Sequence, residues 1–404
     1  MKFLWLLTSV PYPPDTGGKQ DSFYLLREFS RLGDDIYCGI IYHGDDPPEV
    51  PAEFSELVKK VYFLRGNPDK LHSQLFSSLG DDVPFKFRKY WSDEAVSSLT
   101  SILESETDFD VVLIDHLHLA PLILDTRANL IKSDVRVPKT VLRTPNVEST
   151  IVRKYSERVD NVLVKTFAKR EARKMKKYES SVLAEFDLVA AISPVDTNVL
   201  EKMAGGRAHV ITVTAGVDLD SLTPPESEPI EGEVVFVGSF DWHPNVEGAI
   251  WFVDHIWPKV LDKAPGAHLS LVGRKPPEPM QRLASDSVEI TGSVESIAEY
   301  VERASCSIVP LNIGSGMRLK ILEAFALGCA VVSTSLGAEG IAYTNEKDIL
   351  IADKPAAFAD AVVKVLQDSE LRDMLGRNGR LLAEKKYAWS GVAKGFREEI
   401  VRLF

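Results

Sequence analysis

Residues 305–340, SCSIVPLNIGSGMRLKILEAFALGCAVVSTSLGAEG, constrain the fold more than any other stretch. The apolar run Ile308, Val309, Pro310, Leu311 reads as a buried strand, and Gly314-Ser315-Gly316 as the loop after it. From Met317 to Leu327 the apolar residues Leu319, Leu322, Phe325 and Ala326 recur at helical spacing. Gly328 stops that helix, and 330–334 is a second β-rich run. Strand, glycine loop, helix and strand form a βαβ unit, whose two strands must be parallel neighbours.

A unit of this kind sets its glycine loop at the carboxyl end of a strand and the amino end of a helix. There, unpaired N–H groups and the helix dipole favour an anion. Arg318 and Lys320 add positive charge beside the loop. Glu323, one turn beyond Lys320, could accept two hydroxyl hydrogen bonds from a ribose. A capped helix with a Lys320–Glu323 surface pair is the plainer reading of the same triplet.

The pattern recurs along the chain. A first strand at 2–8 runs into a loop ending in Gly17-Gly18, followed by a helix from about Gln20 to Leu32. The adjacent glycines lack the spacing of a dinucleotide fingerprint, so a nicotinamide site is a weak reading. Further short strands fall at 36–42, 60–64 and 139–142. Residues 110–118 read as a buried strand with Asp115, His116 and His118 at its carboxyl end, where a doubly wound sheet keeps its ligand crevice. A helical stretch from about Thr150 to Ala184 carries Arg153, Lys154, Arg158, Lys165, Lys169, Arg170, Arg173, Lys174, Lys176 and Lys177. A solvated helix face is its default reading, and a peripheral contact with an anionic membrane is the alternative. After a proline- and acid-rich linker at 223–232, strands ending in Gly238, Gly273 and Gly292 precede the βαβ unit, and three helices close the chain.

The 404 residues hold two or three domains, and 45% hydrophobic with 26% charged residues describes a soluble globular protein. A net charge of −12 argues against nucleic-acid binding by bulk charge. Cys38, Cys306 and Cys329 read as reduced core thiols, and no metal-ligand spacing is present. The apolar run 3–7 is short for a signal peptide and lacks a cleavage site, and no stretch is long enough to cross a bilayer. The expectation is a cytoplasmic protein, with peripheral contact at the inner membrane face as the further reading.

In order and content these motifs resemble the GT-B glycosyltransferases, specifically the retaining family 4 (group 1) type. The resemblance rests on Gly17-Gly18, on Gly216-Val217-Asp218 with Pro224, on Val237-Gly238, Leu271-Val272-Gly273 and Ile290-Thr291-Gly292. Gly316-x-Arg318-x-Lys320-x-x-Glu323-Ala324 with Gly328-x-x-Val331-Val332 completes it. It implies two Rossmann-like doubly wound α/β domains facing each other across a cleft, an acceptor-side domain over 1–222 and a nucleotide-sugar domain over 233–388. It also implies a final helix, 389–404, that crosses back.

The implied activity is metal-independent transfer of a sugar from a nucleotide diphosphate to a saccharide or lipid-linked acceptor, with no cofactor. Donor contacts would come from Gly17, Gly18, Gly238, Ser239, Gly273, Arg274, Gly292, Gly314, Ser315, Gly316, Met317 and Glu323. Catalytic roles would fall to Arg318, Lys320 and one of Asp115, His116 and His118. Two departures stand out: Ser315 replaces the first of the family's paired glutamates, and Phe240-Asp241-Trp242-His243 replaces its usual Arg and Lys. Two rivals stand beside this reading: a nucleotide-sugar epimerase on the same two-domain scaffold and, motivated by those losses, a degenerate transferase serving as a binding subunit.

Overall fold

Strand β1 (Lys2–Leu7) buries Phe3, Leu4, Trp5, Leu6 and Leu7 in succession, apolar on both faces. Only a strand covered by helices on two sides has that character. The computed structural model describes residues 1–67, 82–158, 161–314 and 316–404. These divide into two units, 1–214 with 393–404, and 215–392.

In the first unit, β1 is followed by β2 (Asp35–Tyr42), β3 (Lys60–Arg65), β4 (Val111–Asp115), β5 (Lys139–Thr144), β6 (Leu188–Ala191) and β7 (Val210–Thr212). They form a seven-stranded sheet in the order β3-β2-β1-β4-β5-β6-β7, parallel throughout. Helices α1 (Gly17–Arg31), α2 (Asp93–Ser105), α3 (Ala120–Lys132), α4 (Glu148–Arg158), α5 (Val162–Val182) and α6 (Pro194–Ala204) belong to this unit.

Three local expectations are corrected here. Gly17 and Gly18 are not loop residues: they open α1, whose N-cap Thr16 accepts from the Lys19 N–H. The strand expected to run through His118 stops at Asp115, and Leu117–Leu119 is a 3₁₀ turn. The single helix expected over 150–184 is two, α4 and α5. A break there lets both pack side by side and bury one face each.

The second unit contains β8 (Ile230–Val237), β9 (His268–Val272), β10 (Val288–Gly292), β11 (Ala304–Val309), β12 (Val331–Ser333) and β13 (Leu350–Ile351). Their order, β10-β9-β8-β11-β12-β13, is that of a dinucleotide-type sheet, again all parallel. Its principal helices are α7 (His243–His255), α8 (Leu319–Ala326), α9 (Pro355–Gln367) and α10 (Ser369–Lys386). Helix α8 starts two residues later than its apolar spacing implied, with Arg318 as N-cap, because Gly316 adopts a positive φ of 84°. The linker expected to reach 232 ends earlier, since β8 already begins at Ile230.

Residues 215–222 group with the second unit: Val217 is buried in its core and donates its N–H to the Tyr387 carbonyl at 2.7 Å. In the closing helix α11 (Trp389–Val401), residues from Ala393 onward group with the first unit. Arg397 there grips Asp34 through Nε and Oδ2 at 2.6 Å, and Phe396 meets Phe29 edge-on at 5.8 Å.

Candidate active site

The second sheet changes direction between β8 and β11: the chain runs outward from β8 to β9 and β10, then returns on the other side. Crevices at such a point, at the carboxyl ends of strands, are where open α/β sheets bind ligands. Here the strand ends meet main chain to main chain. The Gly238 N–H donates to Val272 O at 2.9 Å, and a Cβ on Gly273 would stand 1.7 Å from the Gly238 carbonyl oxygen. No side chain fits at Gly273, so its glycine is a requirement of close approach.

Around that floor the polar groups are tied together. Ser239 Oγ donates to Asp241 Oδ1 at 2.6 Å and accepts from Arg274 Nε at 2.9 Å. Asn245, buried in the first turn of α7, donates through Nδ2 to Ser239 O at 2.8 Å. Its Oδ1 accepts from Lys320 Nζ, also at 2.8 Å. Lys320 sits in the first turn of α8, with its Nζ 4.4 Å from the centre of the Phe236 ring. Burial, and then the neighbouring Arg318 charge, lower its pKa to about 7 against a smaller upward pull from Glu323.

Arg318 is buried and donates to the Gly316 carbonyl, with its guanidinium 5.6 Å from the half-exposed Trp242 ring. The structure thus brings Gly238, Ser239, Gly273, Arg274, Gly314, Gly316, Met317, Arg318, Lys320 and Glu323 to one end of the sheet. Gly292 closes β10 at the sheet edge and reaches the cluster through its carbonyl, which accepts from the Gly273 N–H at 3.2 Å. Ser315 lies outside the described residues.

In the first unit the predicted trio separates. Asp115 is buried: its Oδ1 accepts from Arg143 Nη1 at 2.9 Å and its Oδ2 from Ser22. Arg143 also grips Asp21 of α1, so the end of β4, β5 and the first turns of α1 are locked by one guanidinium. Burial raises the Asp21 pKa, and the Arg143 charge pulls it part of the way back.

His118 is buried against Phe87 and stacked on Tyr90, with Nε2 3.5 Å from Glu148 Oε2. Burial alone would raise the Glu148 carboxyl, but the hydrogen bond and charge of His118, then Lys86, outweigh it and hold it at about 2. Between Asp115 and His118, His116 is half-buried with φ 126°, a backbone state that side chains rarely adopt. Desolvation lowers its pKa to about 4, so near neutrality it is an uncharged imidazole. Gly17 and Gly18 present the amino end of α1, and a Cβ on Gly18 would meet open space.

Sequence reasoning assigns no role to Asn245, Trp242, Arg143 or Glu148. Asn245 lies in the first turn of α7, just after His243-Pro244. Nothing local in the sequence couples it to Lys320, 75 positions away. Among the described residues, no group of histidine, cysteine, aspartate and glutamate is arranged to hold a metal ion. No described helix is long and apolar enough to cross a membrane.

Two sheets of this order, each with its ligand edge at a switch point, define the GT-B scaffold of glycosyltransferases. Residues 231–368 match the family model described as glycosyl transferases group 1. The whole chain is similar in fold to sucrose-phosphate synthase from Thermosynechococcus elongatus, with TM-score 0.75, 16% identity and 99% of that chain covered. It is likewise similar to HepE from Anabaena in complex with UDP-glucose, with TM-score 0.64, 12% identity and full coverage of both chains. In sequence it is 22% identical over 372 residues, 90% of each chain, to a Klebsiella pneumoniae protein described as an uncharacterized 44.6 kDa protein in the cps region. The matched segment supports a group 1 glycosyltransferase domain in the second unit, and the fold of the chain is that of GT-B proteins.

Proposed function

We propose that the protein moves a sugar from a nucleotide-diphosphate donor to a saccharide or lipid-linked acceptor, with retention, in the synthesis of a surface polysaccharide or glycoconjugate. The observation that carries this reading is the convergence of Arg318, Lys320 and Asn245 on glycine-ended strands at the switch point of the second sheet. UDP-glucose in the Anabaena neighbour supports a nucleotide-sugar donor, and the relative from the cps region supports a polysaccharide product.

In the proposed reaction the bond from the anomeric carbon to the diphosphate breaks, and the acceptor hydroxyl oxygen bonds to that carbon on the same face. The hydroxyl proton leaves with the diphosphate. Charge growing on the departing diphosphate is stabilised by Arg318, Lys320 and the loop amides, the electrostatic contribution that usually dominates such catalysis. Glu323 takes the ribose hydroxyls. Of the trio in the first unit, the neutral, half-buried His116 is the group assigned to the sugar and acceptor, and Asp115 and His118 act as scaffold. Neutralising charge is assigned to side chains and not to a metal, so turnover should persist in a chelator.

The test is a panel of UDP- and GDP-sugars scored for nucleotide release, with and without membrane extract. Release that depends on acceptor and donor supports the reading. Sugar interconversion without release would establish an epimerase, and absence of any nucleotide binding by calorimetry would establish a non-catalytic subunit.

A further inference from the structure

Helix α5 carries two buried acids, and each holds the start of another element. Glu171 accepts from the Phe85 N–H at 3.0 Å, at the opening of the 3₁₀ turn Phe85–Tyr90. Glu179 accepts from the Glu148 N–H at 3.0 Å and the Ser149 N–H at 3.1 Å, at the opening of α4. N–H groups at a helix start have no partner inside the helix, so a carboxylate there fixes where the element begins. Two segments far apart in the chain are thus set against one another by α5.

The side chains they bring together surround His118. Phe87 meets its ring edge-on at 5.1 Å, Tyr90 stacks on it at 5.5 Å, and Glu148 Oε2 lies 3.5 Å from its Nε2. Lys86 Nζ donates to that same oxygen at 2.7 Å. Glu148 is 3% exposed, so its carboxylate answers to the ammonium and the imidazole rather than to a sugar. Held at about 2, it is ionised near neutrality. Ring contacts fix the plane of His118 but not which nitrogen carries its proton. A carboxylate facing Nε2 decides that, because it attracts an N–H there and repels a lone pair.

His116 comes next, with its ring centre 5.8 Å from that of His118 and the two planes 35° apart. Its main chain is pinned on both sides: the N–H donates to the Arg143 carbonyl at 3.0 Å, and the carbonyl accepts from the Leu119 N–H at 3.1 Å. With the backbone fixed, the setting of the His116 ring depends on its neighbours. Asp115 and Glu148 favour its protonation, and His118 and Arg143 oppose it.

We propose that Glu148 is a positioning residue for sugar transfer: its carboxylate holds a proton on His118 Nε2, and the oriented His118 fixes the direction of the His116 ring. This role rests on the assignment of His116 to the sugar and acceptor in the proposed reaction. Since Glu148 meets no reactant, its loss should lower kcat and leave the donor KM as it was.

The test begins with the parent protein. Long-range nitrogen-15 to proton spectra at pH 8 should show a proton on His118 Nε2, with the signals assigned by their loss in His118→Gln. Glu148→Gln faces the imidazole with an amide of the same size and should move that proton to Nδ1. Its kcat should fall about ten- to a hundredfold, with donor KM and near-ultraviolet circular dichroism unchanged. Glu148→Asp keeps a carboxylate and should keep the Nε2 proton and more of kcat than the Gln variant. A parent His118 without a proton on Nε2, or a Glu148→Gln variant with parental kcat, would overturn the proposal. The parent spectrum decides even where a variant fails to fold. A parent that turns over no donor sinks the transfer reading, whereas a misplaced proton in an active parent sinks only the role of Glu148.

Discussion

The Lys320 ammonium donates to the Asn245 side-chain oxygen at 2.8 Å, and Asn245 in turn donates to the Ser239 carbonyl. One amide therefore joins the first turn of α8 to the loop after β8. Replacing Asn245 by Ala should leave Lys320 without its fixed direction and the Ser239 carbonyl without that donor. The expected result is a loss of about tenfold or more in donor affinity by calorimetry, with about 1–3 kcal/mol lost in denaturant unfolding.

The Lys320 amine, held at about 7, should make donor binding pH-dependent. An arriving diphosphate favours the ammonium, so binding at pH 8 should draw in a proton and weaken as pH rises further. Calorimetry in two buffers of different ionisation enthalpy reads that proton directly. Lys320→Arg should bind without proton uptake. The fold responds with the opposite sense: between about 7 and the ordinary lysine value near 10.5, the unfolded chain holds the extra proton, so stability rises with pH. Lys320→Met should flatten that rise and raise the melting temperature while abolishing turnover.

His116 carries both the proposed contact to the reacting sugar and an unfavourable backbone at φ 126°. His116→Gly should relieve that backbone and gain about 1 kcal/mol of stability. His116→Ala should not gain it. Both should depress kcat with little change in donor affinity, and an unaltered kcat in the glycine variant would withdraw the catalytic assignment.

Arg143 holds Asp21 and Asp115 in a buried triad. Arg143→Met strands two carboxylates and should cost about 3–5 kcal/mol in urea unfolding. Adding Asp21→Asn and Asp115→Asn should recover part of the loss, because the remaining groups no longer need an ionic partner. Asp115→Asn alone should keep substantial turnover, the mark of a scaffold residue.

Glu323→Ala should weaken nucleotide binding, and Arg318→Ala with Lys320→Ala should abolish turnover while near-native unfolding is retained. Nucleotide-release assays and calorimetry on the same preparations check both.

Much of this was visible in the chain. Apolar runs that end in Gly238 and Gly273 predict parallel strands with a ligand edge, because burial on both faces and a close main-chain approach leave few other uses for that pattern. The spacing of Arg318, Lys320 and Glu323 likewise placed them on one helix start. Long-range pairing was not visible: Asp115 seemed to face a crevice because nothing nearby announces Arg143, and nothing near Asn245 announces Lys320. The extent of α1 was misjudged for a local reason, since paired glycines usually mark a turn and here occupy the first turn under a Thr16 cap.

Main-chain atoms form the floor where Gly238 meets Gly273. Point substitution cannot reshape such a surface without prising two strands apart. Evolution or engineering that redirects this scaffold to another sugar nucleotide would therefore work from the rim, through positions such as Trp242, His243 and Arg274. The base of the pocket would pass unchanged from one specificity to the next.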